Sequence, residues 1–136
     1  MRYLAGRNVV FAAVLLCWSV ANAAVLECPA TAPSDWRVGK ARLDRARVFG
    51  YLPGTRLDER VLPEGTPDKE WQMGGALYQS WNMKAGNASM IYQVDCLYVG
   101  TPRFLRYDAR LASRCLARRR VRREVLVAGS LEFRCR

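Results

Sequence analysis

The chain has 136 residues, with 22 lysines and arginines, 12 aspartates and glutamates, and no histidine. This length supports one domain with one modest core. Histidine is the usual general base near neutral pH, the group that activates serine and cysteine nucleophiles, and the commonest metal ligand. Its absence argues against most hydrolase and nuclease mechanisms, and we expect a protein that is not an enzyme and that carries no cofactor and no metal.

Residues 1–23 have the layout of a secretory signal peptide. Two arginines precede an apolar run of 13 residues, and the segment ends in Ala21-Asn22-Ala23, with small residues at the positions that signal peptidase reads. The run is too short for a membrane-spanning helix, which needs about 20 residues. Lipid attachment at Cys17 is disfavoured because Leu16 stands where a small residue is required. We therefore expect cleavage, export to the periplasm, and no transmembrane span afterwards.

The remaining domain, residues 24–136, keeps four of the five cysteines. An even number of cysteines in an exported chain indicates disulfides. Zinc is disfavoured because the four are scattered, without a Cys-x-x-Cys pair, and because no histidine is present. We expect a single domain with two structural disulfides, formed among Cys28, Cys96, Cys115 and Cys135.

The N-terminal part of this domain gives weak signals for regular structure. Residues 34–47 fit neither a helical nor a strand period. Residues 48–51, with sequence VFGY, indicate a short strand that ends before Pro53-Gly54. Residues 63–67 are rich in proline and glycine and predict a loop.

Paired carboxylates remain possible as a catalytic arrangement without histidine, as in glycoside hydrolysis, where two acids flank the scissile bond. On a strand, adjacent acids point to opposite faces, which separates Asp58 from Glu59. Asp68 and Glu70 lie among glycine, proline and lysine, a pattern typical of a solvated turn. We therefore expect no catalytic residues among the candidates, which are Asp58, Glu59, Glu64, Asp68, Glu70 and Asp95.

The middle of the chain has the clearest strand pattern. Residues 77–83 and 90–99 alternate in the polarity of their side chains and are rich in aromatic and β-branched residues. Gly86 and Asn87 lie between them and tolerate the positive φ of tight turns. The sequence therefore predicts a β-hairpin here.

The C-terminal part predicts further strands. Residues 104–107 indicate a third strand, and Leu131, Phe133 and Cys135 alternate with Glu132 and Arg134 up to the C-terminus. The chain is therefore predicted to be mainly β: a small antiparallel β-sheet domain of about five or six strands, with two disulfides and long loops.

The register of the last two strands decides the disulfide pairing. A turn at residues 128–130 would place Cys135 opposite Arg123 and leave Cys115 about eight residues beyond the pair. The alternative register sets Cys115 opposite Cys135, with Ala117 opposite Phe133, so that all four lie on one buried face. Arg118 and Glu132 then point outward, and residues 120–130 form a long basic loop. We predict this register, with disulfides Cys115–Cys135 and, by elimination, Cys28–Cys96.

The most basic stretch is RCLARRRVRREV, residues 114–125. Such a cluster is typical of phosphate-backbone binding, but an exported domain does not normally meet nucleic acid. Acidic proteins and anionic envelope components remain as partners, while a solvated basic surface that only maintains solubility is the alternative. Arginine suits carboxylate and phosphate recognition, so we predict an exposed partner-binding loop or hairpin with Arg118, Arg119, Arg120, Arg122 and Arg123.

Several short motifs together resemble a family of short, uncharacterised exported four-cysteine proteins of proteobacteria. They are a Cys-Pro at residue 28, the element Cys96-Leu97-Tyr98-Val99-Gly100-Thr101, a third cysteine downstream, and a fourth at the C-terminus. The resemblance implies a small periplasmic domain with no assigned catalytic residues. Some relatives are encoded near type VI secretion genes, which suggests an immunity or inhibitor role. The arginines of residues 118–123 are not part of this pattern.

Two function hypotheses follow. The first is a non-catalytic periplasmic binding protein, an immunity or inhibitor protein that acts on a secreted toxin or cell-wall hydrolase through an acidic surface of that partner. The second is an envelope-associated structural or binding protein whose basic face contacts anionic lipid or lipopolysaccharide. Neither involves nucleic acid.

Overall fold

The computed structural model describes residues 25–55, 64–84 and 90–136, and this part of the chain is mainly β, as predicted. It contains one turn of 3-10 helix, Ser34–Trp36, and nine strands. The strands are β1 (Leu26–Glu27), β2 (Leu43–Tyr51), β3 (Lys69–Met73), β4 (Ala76–Asn82), β5 (Ile91–Tyr98), β6 (Phe104–Asp108), β7 (Arg114–Arg122), β8 (Val125–Leu126) and β9 (Glu132–Cys135).

The strands form two antiparallel sheets. The larger sheet has the order β1-β9-β7-β4-β3, with β8 added to β7, and the smaller sheet has the order β2-β5-β6. More strands are present than the five or six predicted, because β1 and β8 have two residues each and because all five residues of β3 are exposed. A strand without a buried face carries no polarity alternation, so the pattern could not reveal it.

The core contains side chains from both sheets. β5 contributes Val94 and Cys96, β7 contributes Cys115 and Ala117, and β9 contributes Phe133, all of them buried. Along each of these strands the core residues are two positions apart, because successive side chains of a strand point to opposite faces. Each sheet therefore has an inner face toward this core and an outer face.

The disulfides confirm the predicted pairing. Cys115–Cys135 joins the adjacent strands β7 and β9, and Cys28–Cys96 joins the segment after β1 to β5 of the smaller sheet. The predicted register is also confirmed, since Cys115 lies opposite Cys135 and Ala117 opposite Phe133. Cys115–Cys135 closes a loop of 20 residues and Cys28–Cys96 a loop of 68 residues. By the chain-entropy estimate, they contribute about 3 and about 4 kcal/mol, respectively, to the free energy of unfolding.

The predicted hairpin between residues 77–83 and 90–99 is wrong, although both strands exist. β4 lies between β3 and β7 in the larger sheet, and β5 lies between β2 and β6 in the smaller one, so both edges of each strand are occupied. Alternation reveals which face of a strand is buried but does not identify its neighbour. Gly86 and Asn87 lie outside the described residues.

Two other segments differ from expectation for local reasons. β2 begins at Leu43, inside the stretch that fitted neither period, and a register shift between Leu43 and Arg45 interrupts the alternation there. Glu70 was predicted to lie in a solvated turn, but it lies in β3 opposite Gln79, whose side-chain amide donates to its carboxylate at 2.7 Å.

Asp95 is a buried acid at the centre of the smaller sheet. Its carboxylate accepts hydrogen bonds from Arg106 at 2.7 and 2.9 Å and from Arg47 at 3.1 Å. Both guanidiniums also lie over the ring of Phe104, that of Arg47 at 5.3 Å and that of Arg106 at 5.0 Å from the ring centroid. Asp95 is therefore held in an ion-pair cluster that joins the three strands of the smaller sheet.

Tyr98 fixes the N-terminal segment next to the first disulfide. Its hydroxyl donates to the carbonyl of Pro29 at 3.0 Å, and its ring makes an edge contact with Trp36 at 5.8 Å between centroids. Burial, with a smaller effect from the charge of Tyr107, raises the pKa of Tyr98 to about 12. The neutral phenol is thus the form that the folded protein stabilises.

We predict that Asp95→Asn destabilises the protein by about 3 kcal/mol or more, because it leaves two arginines facing a neutral group in a buried site. The measurement is urea unfolding of the disulfide-intact protein. Asp108→Asn is the control, since Asp108 pairs with Arg110 and its side chain is 51% exposed, and it should cost under about 1 kcal/mol. Equal losses for the two variants would contradict a structural role for the Asp95 cluster.

Tyr98 predicts a loss of stability at alkaline pH. A phenol with a pKa near 10 in the unfolded chain and about 12 in the folded protein stabilises fully below pH 10, and this contribution disappears as the pH rises through 12. Thermal unfolding between pH 8 and 12 should therefore show a steeper decline for the parent than for Tyr98→Phe. Parallel curves for the two proteins would contradict this assignment.

Candidate functional site

The arginine stretch, predicted to be an exposed loop or hairpin, forms a tight hairpin. β7 continues to Arg122, the chain turns at Arg123 and Glu124, and β8 returns beside β7. Both turn residues have positive φ, 49° and 63°, as expected for a two-residue type I′ turn, which matches the twist of the flanking strands. The expected long loop over residues 120–130 is therefore wrong. We call residues 114–126 the arginine hairpin.

The hairpin is fixed to both sheets at its base. The hydroxyl of Ser130 accepts a hydrogen bond from the backbone N–H of Arg120 at 3.1 Å, which accommodates the change of partner from β8 to β9. Gly129 donates its N–H to Asp44 at 3.0 Å and accepts at its carbonyl from Arg42 at 3.0 Å, and both partners belong to the smaller-sheet side of the fold. The strand that carries the arginines is thus rigidly positioned.

Alternation along β7 separates the predicted binding residues. Arg118 and Arg120 point to the outer face of the larger sheet, opposite Tyr78 and Ala76 of β4, while Arg119 points to the inner face. Arg122 and Arg123 are exposed at the tip of the hairpin. The structure therefore does not combine the five arginines into one surface, but distributes them over two faces and a tip.

A row of directly opposed side chains crosses the outer face. Trp71 of β3 lies opposite Tyr78 of β4, Tyr78 opposite Arg118 of β7, and Arg118 opposite Glu132 of β9. The rings of Trp71 and Tyr78 stack at 5.3 Å and 8°. Arg118 donates to the Tyr78 hydroxyl at 3.2 Å and to Glu132 at 3.3 Å, and these two groups raise its pKa. We call these four residues the cross-strand row.

The row borders a broad depression of about 910 Å³ on the same face. Trp71 and Leu116 provide apolar surface within it, and the cationic side chains outnumber the acidic ones. The acids are Glu27 and Asp68, and the carboxylate of Asp68 accepts a hydrogen bond from the backbone N–H of Asn82. The cations that line it are Lys69, Arg114, Arg134 and Arg136.

Sequence reasoning missed most of this face. Trp71 lies in a strand without polarity alternation, and Arg114 and Arg134 lie outside the densest part of the arginine run. Tyr78 alternates with the polar residues Ser80 and Asn82 of its strand and lies on the same face as they do. Only the register of four strands shows that these side chains are neighbours.

A metal centre and a membrane-spanning helix are both absent from the described part of the chain. Among residues 25–55, 64–84 and 90–136, no group of three or more cysteines, aspartates and glutamates could hold a metal ion. Across the same residues, no helix has the length and apolar character that crossing a membrane requires. The outer face presents aromatic and cationic side chains.

Comparisons with known proteins do not assign the chain to a family. No family model matches its sequence, no curated protein matches it, and no solved structure matches its fold. The resemblance to exported four-cysteine proteins therefore stays a prediction.

Proposed function

We propose that the protein is an exported, non-catalytic binding protein of the periplasm, an immunity or inhibitor protein that engages an acidic surface of a secreted toxin or cell-wall hydrolase. The observation that carries the proposal is the cross-strand row, Trp71–Tyr78–Arg118–Glu132, on an open face of the larger sheet. The signal-peptide pattern of residues 1–23 supports export, and two disulfides are compatible with an oxidising compartment.

The composition of the row is that of a protein-binding hot spot. Tryptophan, tyrosine and arginine are the residue types that most often carry the binding free energy of protein interfaces. Trp71 is 40% exposed and still fixed by its stack on Tyr78, whose hydroxyl is in turn bonded to Arg118. These contacts hold the side chains in place before binding, so association costs less side-chain entropy.

The charge around the row selects the partner. Lys69, Arg114 and Arg134 lie on the same face, and Glu132 is paired with Arg118. A face with this excess of cations accelerates encounter with an acidic surface and disfavours basic partners. Because strand β7 is bonded to β9 by Cys115–Cys135, the row is presented on a rigid element.

The test compares two variants of the row with a matched control. We predict that Trp71→Ala and Arg118→Gln each weaken binding of the protein partner by at least about tenfold, as expected for hot-spot residues. Arg110→Gln, which removes an exposed arginine of the smaller-sheet side, should bind like the parent. All three should keep the melting temperature within a few degrees, because exposed substitutions cost little stability.

The measurement is pull-down from a periplasmic extract with the disulfide-bonded protein, followed by titration of the recovered partner with each variant. One stoichiometric protein, released by salt and lost with both row variants, supports the proposal. Co-sedimentation with anionic lipid vesicles or lipopolysaccharide, without a stoichiometric protein, would instead support the envelope-binding hypothesis. A partner that all four proteins bind equally would contradict the assignment of the row.

A further inference from the structure

A second cleft lies on the inner side of the larger sheet, away from the cross-strand row. It has a volume of about 390 Å³ and opens between β2, an edge strand of the smaller sheet, and the inner face of β4 and β7. Gly65 closes one side of it, because its N–H donates to the carbonyl of Val48 at 2.7 Å and its carbonyl accepts from the indole N–H of Trp81 at 3.0 Å. We call it the inter-sheet cleft.

The lining combines an apolar interior with a charged rim. The apolar side chains come from both sheets and from β8, and they are Ala46, Leu77, Trp81, Ala117, Leu126 and Leu131. Arg45 of β2, which is exposed, and Arg119 of β7 also line the cleft, so it is bordered by a cationic residue from each sheet. Glu64 is the acidic residue among the lining residues, and it is exposed.

Arg119 has a hydrogen-bonding capacity that the described part of the chain does not use. Its Nε is buried, and no hydrogen-bond acceptor contacts it there. A buried donor without a partner costs free energy, and native proteins seldom leave one unsatisfied. The neighbours Arg118 and Arg120 face the opposite side of the sheet, so this arginine alone of the three is directed into the cleft.

We propose that the inter-sheet cleft binds a small organic monocarboxylate with an apolar body. The planar guanidinium matches a carboxylate through paired hydrogen bonds. The terminal amino groups of Arg119 would donate them, because its Nε is buried and only the outer end of the guanidinium is open to the cleft. Two arginines against one glutamate favour a single negative charge over a dianion. The volume lies at the lower end of the range of about 300–1,000 Å³ for ligand sites, and the apolar interior accommodates a hydrocarbon or aromatic body.

This site is independent of the proposed protein partner, because the two surfaces lie on opposite faces of the larger sheet. The probe is 4-phenylbutyrate, and isothermal titration calorimetry of the disulfide-bonded protein measures its binding. We expect the neutral 4-phenylbutyramide and inorganic phosphate each to bind at least about tenfold more weakly, since one lacks the charge and the other the apolar body.

Arg119→Gln should weaken binding of 4-phenylbutyrate at least about tenfold, while Arg120→Gln, one residue along the strand and on the other face, should bind it like the parent. The ligand comparisons use the parent protein, so they decide the question even if Arg119→Gln folds poorly. Absence of binding, equal affinity for the amide or for phosphate, or equal effects of the two substitutions would each overturn the proposal.

Discussion

The pairing of Cys115 with Cys135 sets the direction of every side chain along the arginine hairpin. The two cysteines lie opposite each other on β7 and β9, and both face the core. From Cys115 onward, successive side chains of β7 therefore point alternately toward the core and away from it. Arg118 must then point outward and Arg119 inward. A shift of one residue would move Ala117 out of the core, bury Arg118, and dissolve both the cross-strand row and the inter-sheet cleft.

The arginines of the two sheets have different partners. In the smaller sheet, Arg47 and Arg106 form ion pairs with the buried Asp95, and these arginines stabilise the fold. In the larger sheet, Arg118 has an exposed acid and a tyrosine as partners, and the Nε of Arg119 has no acceptor in the described part of the chain. The arginines of a strongly basic chain are therefore not equivalent, and their neighbours decide which ones are available for binding.

The structure could be predicted from the sequence where burial of one strand face produces an alternation of apolar and polar residues. The alternation of residues 131–135 and the requirement that two cysteines face each other were sufficient for the register of β7 with β9, for both disulfides, and for the outward direction of Arg118 and Glu132. The pairing partners of the strands were harder to predict, because the polarity alternation of residues 77–83 and 90–99 is compatible with either sheet. The candidate site was the least accessible part, since Trp71 lies in a strand without a buried face and its proximity to Arg118 depends on three consecutive strand pairings.

The turn of the arginine hairpin has a further consequence. Arg123 and Glu124 both adopt the left-handed conformation, which costs roughly 1–2 kcal/mol per residue for side chains other than glycine. The tip therefore opens at a lower free energy than the part of β7 that is covalently joined to β9. Under the proposed function, the exposed arginines at the tip make the first contact with an acidic surface, while the ordered side chains near the disulfide determine which of those encounters last.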